Sequence, residues 1–307
     1  MRRALSVLLM VFLANQATGQ EPATKPGQTS KPGAAKKKTS RPLITAVDLN
    51  KILSQDRVRI LDVGTDKKVY DAGHVPGSVF VHWIQDMTDP KNNERYNLAT
   101  PKAMQRVLRR LGIKNEDRIV IYDNLSNRLS TRLYWSLKTY GHHHVQVLDG
   151  GQGAWKAAGL NFTTEVPGIA PSEYRIGKAA PRFSADMKYI TKQLGEPNVS
   201  LVDGRPEKQF SGAEPGRVFH TGTAHKKRGH IPGAVNVFWK DNFKPDGTFK
   251  SAKELKALYE KRGITRGKGK VTVTYCNEGL HAAPPWFVLR ELLGYEDVRV
   301  YDDSLSE

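Results

Sequence analysis

The chain has 307 residues, a formal net charge of +17 and one cysteine. That length suits about two domains, and a lone cysteine excludes an internal disulfide framework. After the first twenty residues no segment is apolar enough to cross a bilayer, and no nucleic-acid motif accompanies the positive charge.

Arg2 and Arg3 precede an apolar run from Ala4 to Ala14, and Ala17-Thr18-Gly19 supplies small residues for cleavage. This is the layout of a secretory signal peptide over residues 1–19. It predicts an exported protein, periplasmic or secreted, with no stable membrane span once cleaved. Residues 20–42 are rich in Pro, Lys, Gly, Ser, Thr and Ala and have little to bury, so they read as a disordered linker. Residues 1–42 carry eight Lys or Arg against one acidic residue, which leaves +10 for the remainder. A folded part of that charge attracts small anions.

From residue 43 the sequence repeats itself. Ile60-Leu61-Asp62-Val63 matches Ser200-Leu201-Val202-Asp203, and Gly73-His74-Val75-Pro76-Gly77-Ser78 matches Gly229-His230-Ile231-Pro232-Gly233-Ala234. Gly112-Ile113 before Ile119–Tyr122 matches Gly263-Ile264 before Val271–Tyr275. Trp135, Tyr140-Gly141 and Val145–Asp149 match Trp286, Leu293-Gly294 and Val298–Asp302. Landmarks in the same order, more than 100 residues apart, indicate tandem domains. The expected domains are residues 43–160 and 182–307, with 161–181 as the linker between them.

Within each copy, Ala103–Arg110 and Ala252–Lys261 have helical periodicity, and glycines follow as C-caps. Ile119–Tyr122 and Val145–Leu148 read as short buried strands. The alternation predicts an α/β fold whose parallel sheets are covered on both faces. Ligands of such sheets bind beyond the carboxyl ends of the strands. The second copy stops soon after Tyr301-Asp302-Asp303, where the first continues through Gly150–Leu160.

Val271–Tyr275 delivers Cys276 to such an end. The loop Cys276-Asn277-Glu278-Gly279-Leu280-His281 follows, and a helix is expected near Ala282 with Pro284 and Pro285 in its first turn. Unpaired N–H groups at a helix start would hold a thiolate and lower its pKa. Gly279 permits a backbone turn closed to other residues. Export makes a retained free thiol more telling, because that compartment would otherwise oxidise it.

These landmarks resemble the rhodanese family, and more narrowly the two-domain thiosulfate/3-mercaptopyruvate sulfurtransferases, over about residues 43–307. The resemblance rests on the aspartate at an early strand end, the repeated Gly-His-x-Pro-Gly turn, and the cysteine loop followed by a Trp-containing helix. It implies two tandem rhodanese-like domains of which only the C-terminal one is catalytic. Asp123 stands where Cys276 stands in the second copy and cannot carry a sulfane sulfur. A separate binding role is open to Asp123 and Arg128.

The implied chemistry is transfer of sulfur from thiosulfate or 3-mercaptopyruvate to cyanide or a thiol through a Cys276 persulfide, with no cofactor and no metal. The acceptor could be a periplasmic thiol protein. Backbone N–H groups from Asn277 to Ala282 would cradle the anionic sulfur. Phosphatases of related build carry a loop one residue longer that ends in arginine; the six-residue loop without one favours sulfur.

Two departures bear on the donor. Where thiosulfate-specific members carry cations, this loop has Asn277 and Glu278, and Gln209 occupies the place of a substrate-binding arginine. Arg205 is the expected compensating contact, with Lys226, Lys227 and Arg228 as others, and Asp203 as a supporting residue paired with Arg205. His281 could act as imidazolium beside the thiolate or as imidazole relaying a proton. His74 and His230 recur in both copies, which predicts a structural role. His142–His144 and His220, His225, His230 lack the spacing and partners of a metal site. Residues 211–228 are a basic, Gly-rich insertion that could flank the pocket. The alternative to an enzyme is a non-catalytic sulfur-carrier or binding module of the same fold.

Overall fold

A computed structural model describes residues 41–89, 96–178, 180–218 and 221–307. The expected signal peptide and nearly all of the disordered linker lie outside the described residues, as does His220.

In the first half the strands are β1 (Leu43–Ile44), β2 (Val58–Gly64), β3 (Ser78–His82), β4 (Arg118–Tyr122) and β5 (Val145–Leu148). They form one sheet in the order β1-β5-β4-β2-β3, with every pair parallel. The second half repeats it with β6 (Ser184–Ala185), β7 (Val199–Asp203), β8 (Val235–Asn236), β9 (Val271–Tyr275) and β10 (Asp297–Tyr301), ordered β6-β10-β9-β7-β8 and again parallel. The two orders are the same topology, so the duplication seen in the sequence is a duplication of the sheet. Helices cover both sheets, and the central strands are buried on both faces; β4 does this with successive apolar residues, Ile119 to Tyr122, while β9 alternates valine with the buried Thr272 and Thr274.

Local chemistry sets the helix boundaries. Thr100 caps the helix Pro101–Arg110 by accepting from the Ala103 N–H. Ser251 and Glu254 form a reciprocal capping box at Ala252–Glu260. Each of these helices ends at a left-handed glycine, Gly112 (φ 67°) and Gly263 (φ 77°). The Ile113 and Ile264 N–H groups then reach back to the carbonyls of Leu108 and Tyr259, 3.0 and 3.1 Å away.

The paired Gly-His turns are structural. His74 stacks on Tyr70 at 3.7 Å and hydrogen-bonds through both ring nitrogens to the carbonyls of Tyr70 and Glu165. His230 stacks on Phe210 at 3.8 Å and bonds to its carbonyl.

The halves share one core. The helix Arg128–Thr139 of the first packs on the helix Ala283–Phe287 of the second, with Tyr134 edge-on to Phe287 at 4.8 Å. The Trp135 indole N–H donates to the Phe183 carbonyl at 3.0 Å. This seam places the start of a first-half helix beside the end of β9.

Candidate active site

Strand β9 ends at Tyr275, and Cys276 opens the loop at the carboxyl end of the sheet. Gly279 has φ 79°. A Cβ there would lie 2.5 Å from an Asp302 carboxylate oxygen and 3.0 Å from an Arg132 nitrogen, so glycine is required by both conformation and space. The buried Ser304 hydroxyl accepts from the Cys276 and Gly279 N–H groups at 3.0 and 3.1 Å and donates to the Tyr301 carbonyl at 2.7 Å. The helix after the loop, Ala283–Phe287, carries Pro284 and Pro285 in its first turn as expected.

Cys276 is 1% exposed. Burial pushes its thiol above the ordinary range, the reverse of the depressed pKa expected from the sequence. The N–H groups of Glu278, His281 and Ala282 act on the sulfur in the opposing, lowering sense, and the Glu278 carboxylate raises it further. Three backbone N–H groups of the loop thus act on the thiol, while the Gly279 N–H serves Ser304.

Asn277 faces sideways. Its amide donates to Gln209 Oε1 at 3.1 Å and to the Arg217 carbonyl at 2.8 Å. Two of the three positions that depart from the cationic pattern, Asn277 and Gln209, are therefore partners of each other, an amide pair in place of two cations. Behind them Arg205 and Asp203 form a buried ion pair at 2.6 Å, their side chains 1% and 0% exposed. Arg205 also donates to the Gly229 carbonyl at 2.7 Å and reaches Asn277 Oδ1 at 3.5 Å. Its guanidinium is committed to Asp203 and the loop wall and does not line the cavity, which corrects its expected role as a substrate contact. Lys227 and Arg228, offered as further compensation, line a separate cavity with Met187 and Tyr301.

The cavity at Cys276 has a volume of about 360 Å³. Asn277, Glu278, Leu280 and His281 of the loop line it, with Phe238 and Trp239 as an aromatic wall. Three cations line it as well: Arg128, from the start of the first-half helix, Arg217, from the insertion, and Lys240. His281 stacks on Trp239 at 5.2 Å and meets Arg128 Nη1 at 3.2 Å through Nε2. Arginine has only donors, so Nε2 accepts and the ring proton sits on Nδ1. Burial, Arg128 and Lys240 push the His281 pKa down to about 3, and the imidazole is neutral at physiological pH. The imidazolium reading is thereby set aside. Ala282 is buried beside the loop, with its carbonyl accepting from the Thr274 hydroxyl at 2.9 Å.

Lys240, Trp239 and Arg217 were missed by the sequence reading. The basic insertion was the available signal for Arg217; nothing in the spacing of Trp239 and Lys240 marks them. Among the described residues no cluster of His, Cys, Asp and Glu has metal-binding geometry. His142 is buried, bonded to the Tyr174 hydroxyl and the Asp117 carbonyl, and burial pushes it down to about 4.

The first half shows what the same loop does without a thiol. Asp123 follows β4, and its carboxylate accepts N–H bonds from Leu125, Asn127 and Ser130 at 2.7, 2.9 and 2.7 Å. An internal carboxylate fills that cradle, and Arg128, five residues on, leaves the loop for the other half's cavity.

Known proteins resemble this arrangement. A family model described as a rhodanese-like domain matches residues 45–158 and again 186–307. The sulfur carrier protein TtuD of Thermus thermophilus is 35% identical over 83% of this chain and 89% of its own. A thiosulfate sulfurtransferase of Corynebacterium glutamicum is 32% identical over 86% of each chain. SseA of Escherichia coli, described as a 3-mercaptopyruvate sulfotransferase of rhodanese fold, superposes with a TM-score of 0.75 at 25% identity. That match covers 87% of this chain and 100% of SseA.

Proposed function

The chain belongs to the rhodanese family, and from that premise we propose that it is a sulfurtransferase in which Cys276 carries the sulfur as a persulfide. The observation that carries the reading is the placing of the chain's sole thiol at the end of β9 with three backbone N–H groups on its sulfur. The Cys276 thiolate attacks the outer sulfur of thiosulfate. The S–S bond breaks heterolytically, its electron pair leaves with sulfite, and the persulfide remains. A thiolate or cyanide then attacks the outer sulfur, takes it as a persulfide or thiocyanate, and releases the Cys276 thiolate. The cradle acts on whichever sulfur bears the charge. Export to the periplasm or beyond, with a periplasmic thiol as acceptor, belongs to the same proposal and rests on the N-terminal layout of residues 1–19.

A second reading, a sulfur carrier loaded by a partner protein, is favoured by Glu278. This carboxylate lines the cavity and raises the Cys276 thiol, so it opposes a dianionic donor. TtuD is named a carrier. Intact-mass measurement after incubation with thiosulfate or 3-mercaptopyruvate separates the readings. The enzyme gains one sulfur, loses it to cyanide as thiocyanate, and the Cys276→Ser variant does neither. Absence of an adduct with both donors sinks the enzyme reading. Because the thiol is pushed up and His281 stays neutral, the loading rate rises with pH through the neutral range and beyond pH ~8.5, the ordinary thiol pKa. A plateau below neutrality contradicts the burial argument.

A further inference from the structure

The cavity has exchanged loop cations for wall cations. The loop offers Asn277, whose amide is spent on Gln209 and the Arg217 carbonyl, and Glu278. Positive charge enters from three other elements. Arg128 comes from the first half, and its guanidinium carbon lies 5.5 Å from the Trp239 ring centroid. Lys240 Nζ lies 5.6 Å from the same centroid. Arg217 enters from the insertion, with one guanidinium nitrogen on the Gly222 carbonyl at 3.0 Å. Among the described residues neither Lys240 nor Arg217 has an ion-pair partner. One indole thus has two cations near its ring, and both line the same cavity as the Glu278 carboxylate. The stacked His281 ring accepts from Arg128 and so fixes the direction of the guanidinium.

We propose that Arg128 and Lys240, flanked by Arg217, are the seat for the acid group of the sulfur donor, so that the first half supplies a substrate-binding cation to the cysteine of the second. The group is an oxyanion, the sulfonate end of thiosulfate or the carboxylate of a mercapto acid. The inference rests on the sulfur-transfer reading for its substrate, but the seat can be probed without sulfur transfer. The volume of about 360 Å³ and the apolar walls at Phe238, Val218 and Leu280 leave room for a donor with an organic body behind that acid group. The depression of the His281 pKa by both Arg128 and Lys240 agrees with their convergence on one spot.

The test compares iodoacetate with iodoacetamide on the full chain. In both reactions the Cys276 thiolate displaces iodide and forms a C–S bond; the reagents differ in one negative charge. In R128Q and K240Q the ratio of iodoacetate to iodoacetamide rates falls by roughly 10-fold at low salt, the range for losing a partly desolvated charge contact, and R128K keeps most of it. An unchanged ratio in both variants overturns the proposal. So does an equal fall in both reagents' rates in R128Q and R128K, which is a packing effect. The same variants raise KM for the true donor more than they lower kcat. A rise confined to thiosulfate identifies the sulfonate, and one confined to 3-mercaptopyruvate the carboxylate. If wild type takes up no sulfur yet the alkylation ratio falls in the variants, the anion seat stands and the sulfur-transfer reading fails.

Discussion

The loops that begin at Asp123 and Cys276 follow equivalent strands, β4 and β9, of the two sheets, yet they point their N–H groups at different things. In the first, the donors bond a carboxylate that belongs to the loop itself. In the second, they face a buried thiol whose pKa is raised by its burial. A donor cradle around a fixed carboxylate is saturated and structural; around a thiol it acts on charge that appears during reaction. The strand-end aspartates differ in parallel. Asp203 is paired with Arg205, whereas Asp62 has Gly64 at the matching place and accepts from the Tyr122 hydroxyl at 2.7 Å. The copies diverged by changing which buried charge each loop must satisfy.

The most disruptive way to probe that difference is Arg205→Leu. It leaves Asp203 buried without its cation and frees the wall behind Asn277. Breaking one side of a buried pair costs about 3–5 kcal/mol, readable as a fall in denaturant midpoint. Double replacement, Asp203→Asn with Arg205→Leu, recovers part of it. If the single variant costs no more than a surface substitution, the pair is not what holds the loop. At the matching place the first half has Gly64 and so no such pair with Asp62.

The parallel sheet and its repetition were legible because period and landmark order are local signals. Strand β9 and the prolines of the next helix stand where apolar run and N–H chemistry put them. What stayed hidden depends on depth and on long-range contact. A thiol at a helix start reads as acidic, but the sign of its shift is decided by burial, which no local motif encodes. Arg205 was recognised as a possible partner of Asp203 and still assigned to substrate, because sequence spacing cannot say which contact wins. Arg128 meets His281 across 153 residues, and only the packing of the two halves brings them together.

A sharper contrast comes from the loop glycine. Gly279 at φ 79° faces Asp302 and Arg132 at distances no Cβ tolerates. Gly279→Ala therefore costs about 2–4 kcal/mol from strain and overpacking together and slows alkylation of Cys276. In the first loop the matching position is Ser126, a non-glycine already at φ 58°. Ser126→Gly there changes stability by less than about 1 kcal/mol. Thermal melts of the two variants check both statements. Equal effects at the two sites would mean that the loops tolerate the same backbone, against the contacts seen at Gly279.

The smallest effect concerns the aspartate without an arginine. Burial pushes Asp62 up to about 6, against the lowering hydrogen bond from Tyr122. A carboxyl whose folded pKa is raised binds more protons folded than unfolded between about pH 4 and 6, so stability falls as pH rises through that window and then levels off. Asp62→Asn removes the titrating group. Its stability relative to wild type should therefore improve by on the order of 1–2 kcal/mol between pH 4 and 7. Denaturant titrations of the pair at the two pH values give the difference directly. A constant offset would show that Asp62 ionises as easily folded as unfolded, and that the first half does not need the cation the second half keeps.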